Sequence, residues 1–69
     1  MDLALNKIIE HFESPIISEK DHCTRVIASK NNNTWYFDIY QDIILAFDGI
    51  NEQVELNSIE ELDNYLTTC

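Results

Sequence analysis

Between Thr34 and Leu56 apolar and polar residues alternate at the two-residue period of half-buried β-strands. In Thr34–Tyr40, Trp35, Phe37 and Ile39 fall on one side, and Tyr36, Asp38 and Tyr40 on the other. Ile43–Asp48 divides in the same way, with Ile43, Leu45 and Phe47 set against Ile44, Ala46 and Asp48. An earlier run, Cys23–Ser29, also reads as a strand. The tract Lys30-Asn31-Asn32-Asn33 that follows it suits a hairpin loop, because asparagine tolerates the left-handed conformation. On either side of this meander the period becomes helical. Leu5, Ile8, Ile9 and Phe12 form one stripe, predicting a helix from about Asp2 to Glu13 that stops before Pro15. The segment SPIISEKDH then reads as a polar linker, with Ile16 and Ile17 folded back onto the domain edge. Near the other end, Ser58 and Glu61 make a capping box that opens a helix, Ile59–Leu66. Its inner stripe is Ile59, Leu62 and Leu66, while Glu60, Glu61, Asp63 and Asn64 face water.

Strand register follows from loop length. A two-residue turn at Gln41-Asp42 would set Asp38 beside Leu45, whereas a three-residue loop, Tyr40-Gln41-Asp42, aligns Phe37 with Leu45 and Ile39 with Ile43. Burial of the larger residues on one face favours the three-residue loop. Gln-Asp also lacks the Gly or Asn that two-residue hairpins prefer. Asp48-Gly49 carries that signal and predicts a type I′ turn pairing Phe47 with Ile50. The expected fold is a single α+β domain over residues 1–69, in the order α-β-β-β-β-α. Its antiparallel sheet has three to four strands, with both helices packed on one face. In that arrangement Trp35, Phe37, Leu45 and Phe47 lie beneath Leu5, Ile8, Ile9 and Phe12.

Charge adds an asymmetry that the pattern does not contain. The chain carries 13 acids against 4 bases, a formal net charge of −9. All the bases (Lys7, Lys20, Arg25 and Lys30) precede Asn31, after which Asp38, Asp42, Asp48, Glu52, Glu55, Glu60, Glu61 and Asp63 follow with no base between them. Direct contact with nucleic acid or an anionic membrane therefore lacks electrostatic support. A basic protein is the natural complement. No apolar run approaches the roughly 20 residues of a membrane span. The start, MDLALNKIIE, is acidic and then amphipathic, unlike a signal peptide. A cytoplasmic setting with Cys23 and Cys69 as free thiols is the expectation.

No residue constellation specifies catalysis. His22 and Cys23 are adjacent, so a strand sends them to opposite faces and they form no nucleophile–base pair. His11, His22, Cys23 and Cys69 lack the spacings of a zinc site, and His11 is expected in solvent with Lys7 and Glu10. Asp48-Gly49-Ile50-Asn51-Glu52 lacks the acidic ladder of a calcium loop. The expectation is a protein with no enzyme activity, metal or cofactor.

What remains is a surface. The predicted open sheet face of Tyr36, Asp38, Tyr40, Ile44, Ala46 and Asp48 combines aromatics with carboxylates, and tyrosine is enriched in interface hot spots. With Asp42, Glu60, Glu61 and Asp63 around it, that face would bind a basic partner and imitate a nucleic-acid backbone. In size and charge alone the chain is similar to phage-encoded anti-CRISPR and anti-restriction inhibitors, which implies an inhibitor occupying a nucleic-acid-binding surface. Two alternatives stand beside it: an immunity or antitoxin protein that neutralises a nuclease, and a dimerisation or adaptor module using Tyr36 and Tyr40.

Overall fold

The computed structural model describes residues 2–50 and 52–69. Helix α1 (Asp2–His11) leads into five strands, β1 (Glu13–Glu19), β2 (Thr24–Lys30), β3 (Asn33–Ile39), β4 (Ile44–Phe47) and β5 (Val54–Leu56), and the chain closes with helix α2 (Ile59–Leu66). The strands form one antiparallel sheet in the order of the chain. Phe37 shows where the helices sit. Its ring meets Phe12, just beyond α1, at 5.6 Å and Tyr65 of α2 at 6.1 Å. One side chain touches both helical segments, so both cover the same face of the sheet.

The α+β architecture matches expectation, with one more strand. Residues 13–19, read as a linker, pair with β2 along the sheet edge. Ser14 takes a left-handed φ of 47°, and the register shifts between Glu13 and Ile16, where Pro15 sits in the bulge. This bulge turns the chain directly from α1 into β1. The hairpin between β2 and β3 follows the asparagine signal, since Asn31 and Asn32 take φ of 55° and 68°.

The register of β3 on β4 differs from the expected one. Ile39 pairs with Ile44, Phe37 with Ala46 and Asp38 with Leu45, and Tyr40 donates its N–H to the Ile43 carbonyl at 2.8 Å. Gln41-Asp42 is thus the two-residue connection. Volume explains the outcome: Phe37 fills the space between the helices, and alanine opposite it leaves room that Leu45 would overfill. Small residues recur across this layer, with Ala4, Ala28 and Ala46 all fully buried. The rest of the core is Ile8, Phe12, Val26, Phe37, Ile39, Ile44, Leu56, Leu62 and Leu66. Trp35 and Leu5 pack against it partly buried, whereas Phe47 lies outside it on the opposite face.

The loop after β4 also departs from the predicted turn. Gly49 takes φ 83° and the Ile50 N–H donates to Asp48 Oδ1 at 2.9 Å, so a tight turn forms. Yet Ala46 pairs with Val54 rather than Phe47 with Ile50, and a wider loop separates the strands. Helix α2 begins as expected. Ser58 Oγ accepts from Glu61 N–H at 3.1 Å, while Glu61 Oε1 accepts from Asn57 N–H at 3.3 Å.

Candidate functional site

The face away from the helices carries two cross-strand rows. In the first, Ile16, Ile27, Tyr36 and Phe47 stand opposite one another across four strands. The second runs Ser18, Arg25, Asp38, Leu45 and Glu55 across all five. Alternation sends both rows to the open side, because the row between them (Ile17, Val26, Phe37, Ala46 and Val54) faces the helices. Large apolar side chains are exposed here, with Ile16 at 61%, Tyr36 at 39% and Phe47 at 37%. The Tyr36 and Phe47 rings lie 6.1 Å apart and tilted, forming one aromatic floor.

Beside that floor Arg25 bridges to Asp38 with both arms, Nε to Oδ1 at 2.7 Å and Nη2 to Oδ2 at 3.1 Å. The pair neutralises the Asp38 carboxylate at the centre of the face, and the Asp38 bond raises the Arg25 guanidinium above its ordinary value. Arg25, Tyr36, Asp38, Leu45 and Phe47 line a shallow groove of about 400 Å³ bounded by Gly49 and Gln53. Tyr40 sits beyond Asp38 on the same side, where the Cys23 thiol raises its phenol by charge and by hydrogen bonding.

The expected partner-binding residues divide among several places. Tyr36, Asp38 and Tyr40 share the open face. Ile44 does not: it is fully buried under the helices, as is Ala46, because the two-residue connection turns Leu45 and Phe47 outward instead. Asp48 caps its own loop. Asp42 lies in the β3–β4 turn, and Glu60 and Glu61 open α2 just after β5. Because Ile44 at the start of β4 pairs with Leu56 at the end of β5, those three acids gather at one end of the sheet. Asp63 lies farther along α2, joined to Lys7 of α1 at 3.0 Å. Among the described residues, Asp42, Glu60 and Glu61 enter no salt bridge.

The thiols and histidines stand apart from this face or at its margin. Both cysteines are free. Lys30 Nζ donates to the Cys69 carbonyl at 3.2 Å and lies 3.4 Å from His11 Nε2. His11 is half-buried against Phe12, not solvated as expected. Among the described residues, no three His, Cys, Asp or Glu side chains cluster as metal ligands, and no helix is long and apolar enough to cross a membrane.

Sequence reasoning missed Ile16, Ile27, Leu45 and Phe47 on the open face. The usable signal was Ile27 beside Arg25 in a seven-residue strand, which places two side chains of unlike character on one side. No family model matches the chain, and neither does a curated protein or a solved structure.

Proposed function

We propose that this chain is a non-catalytic protein-binding module whose docking surface is the open face of the sheet. The observation that carries this reading is the uncovered row Ile16–Ile27–Tyr36–Phe47, continuous across four strands and next to a neutralised ion pair. Contiguous apolar patches of this kind mark interaction sites, and tyrosine contributes strongly to them. The free thiols fit a reducing cytoplasmic setting. Ile16 and Leu3, exposed at 61% and 56%, supply a matched test because Leu3 lies on α1, on the helix side. Binding to a protein captured from cells should be lost in Ile16→Asp and retained in Leu3→Asp. The opposite pattern would move the docking surface to the helices.

A second reading rests on a separate surface. Asp42, Glu60 and Glu61 at one end, within a half of the chain that has eight acids and no base, favour a basic partner such as a nucleic-acid-binding protein. In that role the chain would be an inhibitor that excludes nucleic acid. Its binding should weaken steeply with salt, and nucleic acid should compete. Reversal at Asp42 and Glu60 should hurt more than reversal at Glu10 and Glu13. Simultaneous binding of nucleic acid and this chain would defeat the reading.

A further inference from the structure

Charge singles out the open face from the rest of the molecule. Lys20 continues β1 two residues beyond Ser18, with its N–H bonded to the Cys23 carbonyl, so it joins Arg25 on this side. Against these bases stand Asp38 and Glu55 in the second row, and Glu13 at the bulged corner opposite Ser29. Of 13 acids and 4 bases, the face thus holds three and two, leaving ten acids and two bases to the remainder. Two copies of so acidic a chain repel each other over most orientations, and this face is where the repulsion nearly vanishes.

The order of the charges goes further. Arg25 is already matched by Asp38, and Glu13 lies at the far end of β1 from Lys20, so Lys20 at one edge of the sheet and Glu55 on β5 at the other are the opposite charges left to meet a partner. We propose that the occupant of the open face is a second copy of this chain, packed sheet against sheet about a two-fold axis parallel to the strands. This rests on the docking reading above and names its partner. Such an axis lays β3 over β3 and β1 over β5, placing Lys20 of each copy near Glu55 of the other. It also maps each row onto itself, so the apolar row meets the apolar row. The resulting interface is isologous and closed. The two sheets would stack about 10 Å apart, as aligned sheets do in sandwiches.

Size sets the strength. Five strands about 4.8 Å apart give a face roughly 20 Å on a side. That is on the order of 400 Å² in projection, at the small end beside the roughly 800 Å² per partner of a standard interface. The dimer should dissociate on dilution.

Sedimentation of the whole chain across a concentration series tests this. The mass should rise from 8.1 kDa toward twice that value. Glu55→Lys alone and Lys20→Glu alone should each raise the dimer Kd severalfold, because each change turns two symmetry-related attractive rim pairs repulsive. The double exchange should restore it. Both sites are surface positions, and circular dichroism of each variant separates misfolding from lost association. Wild-type protein that stays at 8.1 kDa to millimolar concentration overturns the dimer. So does a dimer in which the double exchange rescues nothing. In a monomeric protein, a cellular partner lost in Ile16→Asp keeps the docking reading while the dimer falls; an unaffected partner removes both.

Discussion

Phe37 and Phe47 belong to neighbouring strands, yet one is sealed beneath both helices and the other remains 37% exposed on the opposite side. The covered side combines Phe37 with Val26, Ala28, Ile44 and Ala46, where small residues let the helices approach. The open side combines Phe47 with Ile16, Ile27, Tyr36 and Leu45, and carries an ion pair instead of a covering element. Large apolar residues occur on both sides; charged residues and the absence of alanine mark the open one. Ala28 and Ala46 lie where the helices must fit against Phe37 and Ile44, while on the side away from the helices Ile16, Ile27, Tyr36 and Phe47 stand without an alanine among them. A face built of large apolar residues without a cover keeps its burial energy for association.

The largest test of this contrast exchanges adjacent residues of β4. Ile44→Asp should unfold the protein, because it buries an unpaired carboxylate among the helices. Leu45→Asp should leave far-UV circular dichroism unchanged. Unfolding by Leu45→Asp with Ile44→Asp tolerated would restore the three-residue connection and the opposite register. Next comes the phenylalanine pair in denaturant titrations. Phe37→Ala should cost about 3–5 kcal/mol, a large share of a small domain's stability, and Phe47→Ala roughly 1 kcal/mol or less. A comparable loss at Phe47 would mean that something already covers it.

How far the sequence reveals this arrangement depends on how local the determinant is. Helix α2 was readable to the residue because Ser58 and Glu61 act on backbone groups within one turn. The β2–β3 hairpin was readable from asparagines that accept positive φ. Strand β1 was not, since Ile16 and Ile17 are consecutive and both are exposed at an edge, leaving no burial period to detect. The β3–β4 register depended on space between two helices distant in sequence, and a rule that rewards large residues opposite large ones missed it. That slip carried Ile44 onto the wrong face. Tyr36, Asp38 and Tyr40 survived it because their alternation within β3 is independent of the β4 partner.

Smaller effects sharpen the picture on the covered side. Ser58→Ala removes the acceptor for Glu61 N–H and should cost about 1 kcal/mol by thermal or urea melt. Alkaline pH should weaken the same region. Burial raises the Tyr65 phenol and the Cys69 thiol, with Lys30 opposing the shift at Cys69. A proton held more tightly in the folded state stabilises the fold below the group's ordinary pKa, and this contribution is lost as pH rises through the raised one. Tyr65→Phe should therefore flatten the alkaline decline in stability. An identical decline in that variant would assign it to other groups.

The open face as the self-association surface is tested most directly by backbone amide NMR shifts followed through dilution from millimolar to low micromolar concentration. The account predicts concentration-dependent shifts at Ile16, Ile27, Tyr36, Leu45 and Phe47, with Leu3, Asn6 and Asn64 on the helices unmoved. Shifts confined to the helices, or none over the whole range, would contradict it.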